Sequence, residues 1–112
     1  MDYPTARQFI LKQTVAPSDE GQASFLQRIQ QGQAPIPGQA TSLLLALRVV
    51  GDAMHQEPQI ERQLAYALFL LSYESRQCYE AGRNQGIEWP PLLDADLTRL
   101  AAAAEKVLSD GN

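Results

Sequence analysis

Residues 58–83 read PQIERQLAYALFLLSYESRQCYEAGR, with no further proline or glycine until Gly82. Good helix formers fill this segment, and proline is tolerated in the first turn of a helix, so the pattern predicts one long helix from Pro58 to Arg83. At about 1.5 Å per residue, this helix would be roughly 39 Å long. A compact chain of 112 residues has a radius of gyration of about 13 Å. The helix is therefore expected to cross the whole molecule.

The apolar residues of this segment fall on two faces of the predicted helix. One stripe is expected to pack against the preceding helix and comprises Ile60, Leu64, Ala67, Leu71, Ser75 and Cys78. The roughly opposite face, by the 100° step per residue, carries Tyr66, Phe69, Leu70 and Tyr73. A helix that is apolar on two sides must be covered on both. We expect the second cover to be the first two helices, the last helix or a second copy of the chain.

The remaining segments predict an all-α fold, a small helical bundle of about five helices in a single domain, residues 1–112. Short N-terminal helices are expected within about 3–31, with Asp2 and Ser18 as N-caps. Two prolines exclude a helix interior from 32–38, so this segment is a linker. The linker is either a stiff connection laid over the core or a docking segment in polyproline conformation.

A long central antiparallel helical hairpin is predicted over 39–83. Its first helix spans 39–56, and the short junction Glu57-Pro58 is typical of such hairpins. The stripe of this helix suits packing against another helix and comprises Leu43, Leu47, Val50 and Met54.

A Trp-Pro-Pro turn is expected over 84–93, followed by a C-terminal helix over 94–109 with Asp94 as its cap. Charged residues one turn apart predict surface pairs, each worth a few tenths of a kcal/mol. The expected pairs are Asp96 with Arg99, Glu80 with Arg76 and with Arg83, and Asp52 with His55.

Composition excludes several classes of function. Residues 1–50 hold four basic and three acidic residues, whereas 51–112 hold five basic and ten acidic ones, and the net charge is −4. With no basic stripe, nucleic-acid binding and docking to anionic lipid are disfavoured. No apolar run reaches the roughly 20 residues needed to cross a bilayer, so no membrane insertion is expected. The single cysteine and the polar N-terminus favour a cytoplasmic location.

No residue set in the sequence predicts a catalytic, metal or cofactor site. His55 is the only histidine and Cys78 the only cysteine, whereas a zinc site needs several such ligands. Cys78 is interpreted as a buried structural thiol; chromophore attachment and nucleophilic catalysis are the alternatives. Neither phosphate-binding glycine pattern occurs, which weighs against nucleotide enzymes.

The most distinctive local sequence surrounds the single tryptophan. Trp89 adjoins a rigid turn, and such residues anchor either a fold or an interface between proteins. In the first interpretation Trp89 closes one end of the bundle, and in the second it is exposed beside Leu92. The candidate partner-binding residues are therefore Trp89, Pro90, Pro91, Leu92, Tyr66, Phe69 and Tyr73.

The chain resembles a family of short helical proteins from cyanobacteria whose role is unassigned, some of them labelled dethiobiotin synthetase. The motifs that carry the resemblance are Asp2-Tyr3 with Thr5-Ala6-Arg7, Pro35-Ile36-Pro37-Gly38-Gln39, Tyr73-Glu74-Ser75-Arg76-Gln77 and Trp89-Pro90-Pro91-Leu92-Leu93-Asp94. They span most of the chain. An enzyme of that label needs an ATP phosphate loop, which this sequence lacks, so the resemblance supplies no catalytic residue.

These observations predict a small, soluble, non-catalytic protein-interaction or assembly module that binds an unknown protein partner or a second copy of itself. The alternative is a bundle that binds an apolar or chromophoric ligand near Tyr66, Phe69, Tyr73 and Cys78. An enzyme is the remote alternative.

Overall fold

The computed structural model describes residues 1–16 and 23–110 of the chain. These ranges hold five helices and no strand, which confirms the predicted all-α bundle. The helices are α1 (Tyr3–Lys12), α2 (Phe25–Gln30), α3 (Gln39–Ala53), α4 (62–84) and α5 (Leu93–Ser109). The expected cap at Ser18 lies outside the described residues. The radius of gyration is 13.6 Å, close to the value expected from the chain length.

The long helix α4 is the predicted central element. It consists of Arg62–Phe69, a π-helical turn at Leu70–Glu74, and Ser75–Asn84. In the π-turn the Ser75 N–H donates to the Leu70 carbonyl, five residues back instead of four. At about 1.5 Å per residue, α4 is roughly 35 Å long, and the molecule measures 42 Å along its longest axis.

α4 begins later than predicted because Pro58 lies in the loop that follows α3. Residues 54–61 form this loop, so the junction is longer than the expected Glu57-Pro58 pair. Glu61, which directly precedes α4, accepts hydrogen bonds from the Arg7 guanidinium of α1. That hydrogen bond and the charge of Arg7 hold the pKa of Glu61 below its usual value. The start of α4 is thereby attached to α1.

The helices pack in a ring. α1 contacts both α3 and α4, and α5 contacts the same two helices. α3 and α4 are not neighbours in this ring and lie diagonally across the bundle. The prediction that the stripe of α4 packs directly against α3 is therefore wrong. The stripe faces a core shared by four helices, and the 54–61 loop is long enough to carry the chain across it.

The buried core lies between α1, α3, α4 and α5. Its fully buried large side chains are Ile10, Leu43, Leu47, Val50, Leu64, Leu68, Leu71, Leu97 and Leu100. α2 adds Phe25 and Ile29, and it packs on the C-terminal part of α4. Its N-cap is Ser24, whose hydroxyl accepts from the Gln27 N–H at 3.2 Å.

The C-terminal end of the linker 32–38 is held by Gly38 and Gln39. Gly38 adopts φ = 92°, a left-handed conformation that glycine tolerates and other residues rarely adopt, and α3 starts at the next residue. The Gln39 side chain accepts from the Ile36 N–H at 2.8 Å and donates to Gln13 of α1 at 3.2 Å. The linker is thus fixed against the body of the protein.

α5 starts at Leu93, one residue before the predicted cap. Asp94 does not cap the helix, because its carboxylate is bound by Arg76 of α4 at 2.6 Å. Arg76 also donates to the Asp94 carbonyl at 3.1 Å and to the Thr98 hydroxyl at 3.0 Å. Its guanidinium lies 5.2 Å from the centre of the Tyr79 ring. One arginine therefore joins the C-terminal half of α4 to the first turn of α5.

Candidate interaction surface

Three aromatic side chains are exposed along one side of α4. Tyr66, Phe69 and Tyr73 are 52%, 45% and 51% exposed. The ring centres of Tyr66 and Phe69 are 6.4 Å apart, and those of Phe69 and Tyr73 are 5.3 Å apart. The planes of neighbouring rings differ by 12° and 22°, so the rings stack within the favourable range. We call these three residues the aromatic ladder.

The ladder forms because its residues are spaced by three and four positions, which places them on one side of a helix. The other side of α4 carries Leu64, Leu68 and Leu71, which are fully buried. α1 and α5 cover that core side and leave the ladder open. Of the covers expected for this face, the first two helices and the last helix do not close over the ladder within the described residues.

Leu70 does not belong to the exposed face with which it was grouped. It is only 8% exposed, and Leu71 beside it is fully buried. Both residues lie in the π-turn, where a wider turn alters the angular position of each side chain relative to a regular α-helix. Ser72 and Ser75 donate to carbonyls within this region, at 2.9 Å to Leu68 and 2.5 Å to Leu71. The π-turn thus directs two consecutive leucines into the core.

Trp89 is half-buried and packs against the core. Its indole Nε1–H donates to the Tyr79 carbonyl at 2.9 Å, and the two rings stack at a centre distance of 5.7 Å. A Cβ on Gly82 would lie 2.6 Å from the indole Cζ2, so the ring rests directly on the backbone of α4. This geometry favours the interpretation in which Trp89 closes one end of the bundle.

The turn that follows Trp89 is exposed. Pro90 and Pro91 are both exposed, and Leu92 is 71% exposed. Pro90 and Leu92 lie beside Pro37 of the linker, around a shallow cavity of about 150 Å³. The two proline-rich segments of the sequence therefore meet and form a second exposed apolar patch. This patch contains fewer aromatic rings than the ladder.

Cys78 lies on a different side of α4 from the aromatic ladder. It lines a cavity of about 220 Å³ together with Ile29 of α2 and Gly82. Its Sγ is 3.7 Å from the Glu74 carboxylate. Burial, and secondarily the negative charge of Glu74, raise the pKa of the thiol, so it is protonated at neutral pH and a weak nucleophile. The structure does not bring Cys78 together with Tyr66, Phe69 and Tyr73.

His55 pairs with a residue that its sequence neighbours do not indicate. Its Nδ1 lies 2.7 Å from the Asp110 carboxylate, so the expected pair with Asp52 is wrong.

Within residues 1–16 and 23–110, no three His, Cys, Asp or Glu side chains are grouped to hold a metal ion. The predicted pair of Arg99 with Asp96 is present at 2.9 Å. Glu80 pairs with Arg83 at 2.8 Å and with Arg76 at 3.8 Å, as predicted.

The sequence placed the ladder residues on one face but did not show that the face is open. The sequence nevertheless contained an indication that this face is exposed. Gln63 and Gln77 continue the same face at each end of the ladder, and both are exposed. A face bounded by polar residues at helical spacing is typical of a surface that meets both solvent and a partner.

No family model, curated protein or solved structure matches this chain. The resemblance to the cyanobacterial family therefore stays a prediction. In the described ranges, none of the helices has the length and apolar character that a bilayer span requires.

Proposed function

We propose that this protein is a small, cytoplasmic, non-catalytic interaction module that binds a protein partner through the aromatic ladder. The observation that carries the proposal is the half exposure of three stacked rings on a helix whose other side forms the core. Aromatic residues are enriched at the centres of protein interfaces, where a few of them supply most of the binding energy. Rigid, already stacked rings also lose little conformational entropy on binding.

The ladder has the size of the centre of an interface. An aromatic side chain buries about 150–250 Å², so three half-exposed rings offer on the order of 300 Å². A stable interface buries about 800 Å² on each partner. The polar side chains beside the ladder, Gln63 and Gln77 among them, would form the surrounding rim.

The ladder residues are uncharged, which restricts the kind of surface that a partner can present to them. An apolar surface such as the exposed side of a helix would match it, whereas a highly charged peptide would not. A second copy of this chain has the required surface, because the ladder could meet itself about a two-fold axis. A homodimer is therefore the simplest form of the proposal.

The proposal is tested by affinity capture from the native cell with three forms of the protein. These are the wild type, the double variant Phe69→Ala/Tyr73→Ala, and the control Leu45→Ala, which removes a side chain that is 47% exposed on α3. We expect the double variant to lose the partners that wild type and control retain. Because the altered rings are half exposed, each substitution should change the free energy of unfolding by only about 1 kcal/mol.

Sedimentation of the same three forms measures self-association separately. A homodimer that dissociates only in the double variant would identify the second copy as the partner. The same captured proteins and the same sedimentation for all three forms would contradict the proposal.

A further inference from the structure

A groove between α3 and α5 forms a concave surface that does not include the aromatic ladder. The two helices run parallel. Ala40 and Asp96, from their N-terminal turns, line one shallow cavity, and at the other end the Gln56 N–H donates to the Asp110 carbonyl at 2.9 Å. The space between the helices has a volume of about 630 Å³, and ligand pockets commonly measure about 300–1,000 Å³. We call it the α3–α5 groove.

The floor of the α3–α5 groove is apolar. Leu44 and Val107 contribute large side chains, and Gly51 and Ala103 contribute little or none. A Cβ on Gly51 would lie 3.5 Å from Val107 Cγ2, an ordinary contact distance. Together these residues give the groove an apolar base, on which the hydrocarbon part of a ligand can pack.

Three basic side chains line the same groove: Arg48, Arg99 and Lys106. The closeness of Gly51 to Val107 sets the register of the two helices, and in this register Arg48 lies between Arg99 and Lys106 along the groove. Arg99 and Lys106 are seven residues apart, which corresponds to about 10 Å along a helix. Three cations thus share one short segment of a chain whose net charge is −4.

Part of this positive charge is already paired, because Arg99 binds Asp96 at 2.9 Å. Asp110 is held by His55 at 2.7 Å, and Asp52 is the other acidic residue of the lining. In the described part of the chain, Arg48 and Lys106 take part in no ion pair. These two side chains are the cations available to an anionic ligand.

We propose that the α3–α5 groove binds a small amphipathic organic anion. Arg48 and Lys106 would hold its anionic head group by charge-assisted hydrogen bonds, and its apolar body would cover the floor at Leu44 and Val107. An inorganic anion would leave this floor in water, and a neutral apolar compound would leave the two cations without a partner. The pair of His55 with Asp110 closes one end of the groove, which favours a compact ligand over a long peptide.

The probe for this site is sodium decanoate, which has one carboxylate and one apolar chain, with decanol and inorganic phosphate as comparisons. Binding is followed by backbone amide chemical shifts of the wild-type protein. We expect saturable shifts confined to 44–55 and 99–110, with decanol binding at least about tenfold more weakly, as expected for losing a charge-assisted contact. Inorganic phosphate should give no saturable shift.

Variants assign the binding energy to the named residues. Arg48→Gln/Lys106→Gln should weaken decanoate binding at least about tenfold, whereas the control Lys12→Gln, an exposed lysine on α1, should leave it unchanged. Ala103→Leu should fill the groove and prevent binding of decanoate and decanol alike. Circular dichroism verifies that each variant is folded. Shifts centred on Tyr66, Phe69 and Tyr73, no saturable binding, or equal affinity in the double variant and the control would overturn the proposal.

Discussion

Gly82 shows how one residue fixes the position of Trp89. The indole is held by its hydrogen bond to the Tyr79 carbonyl and by stacking on the Tyr79 ring. It lies so close to α4 that a Cβ on Gly82 would be 2.6 Å from Cζ2. The only tryptophan therefore depends on the absence of a side chain seven residues earlier.

The Gly82→Ala substitution should destabilise the protein, although a change from glycine to alanine usually stabilises a helix. Alanine normally stabilises a helix interior by about 0.5–1 kcal/mol relative to glycine. Here the new methyl group displaces Trp89, so we expect a loss of about 1–3 kcal/mol in the free energy of unfolding. Urea denaturation measures it. The matched control is Gly51→Ala in α3, whose Cβ meets Val107 at an ordinary 3.5 Å and should stabilise the protein; equal effects in the two variants would contradict this account.

Local sequence rules failed at residues whose partners are distant in the chain. Asp94 was expected to cap α5, but Arg76 binds its carboxylate. His55 was expected to pair with Asp52, but Asp110 is closer in space. The Asp2 cap was predicted correctly, because its partner is the N–H of Thr5, three residues away at 2.9 Å. Local contacts can be predicted from sequence only where no residue from another part of the fold competes for the same group, as Asp110 does for His55.

At the level of the elements, apolar periodicity predicted the helices well but not their neighbours. The stripe that contains Leu64, Leu71 and Ser75 is buried, as its spacing indicated. The pattern identifies a face, however, and says nothing about which helix covers it. α3 is followed by a loop, 54–61, that is long enough to place α4 across the bundle, so the covers are α1 and α5. The π-turn at Leu70–Glu74 could not be predicted either, because no sequence pattern marks it.

Arg76 is the residue that should matter most for the contact between α4 and α5. Arg76→Ala removes three hydrogen bonds to Asp94 and Thr98 and the contact with the Tyr79 ring. We expect a loss of about 1–3 kcal/mol in the free energy of unfolding, measured by urea denaturation.

The control for Arg76 is Arg83→Ala on the same helix. Arg83 is 60% exposed and pairs only with Glu80 among the described residues, so its removal should cost less than about 0.5 kcal/mol. Equal losses in the two variants would mean that Arg76 does not join the helices.

At the scale of the molecule, the described helices leave one side of the longest helix open to solvent. α1, α3 and α5 surround the core side of α4, and Tyr66, Phe69 and Tyr73 remain about half exposed. The sequence predicted that something must cover this face. It could not show that the described helices of the chain leave this face open, because that depends on how the helices pack against one another. The aromatic ladder is accordingly the surface on which the proposed function depends.

Site-specific photocrosslinking in the native cell tests this claim most directly. A photoreactive phenylalanine analogue replaces Phe69 in one form of the protein and Leu45, which is similarly exposed on α3, in another. We predict a discrete crosslinked product from position 69, containing a second protein or a second copy of this chain, and none of that product from position 45. No product from position 69, or the same products from both positions, would contradict the account.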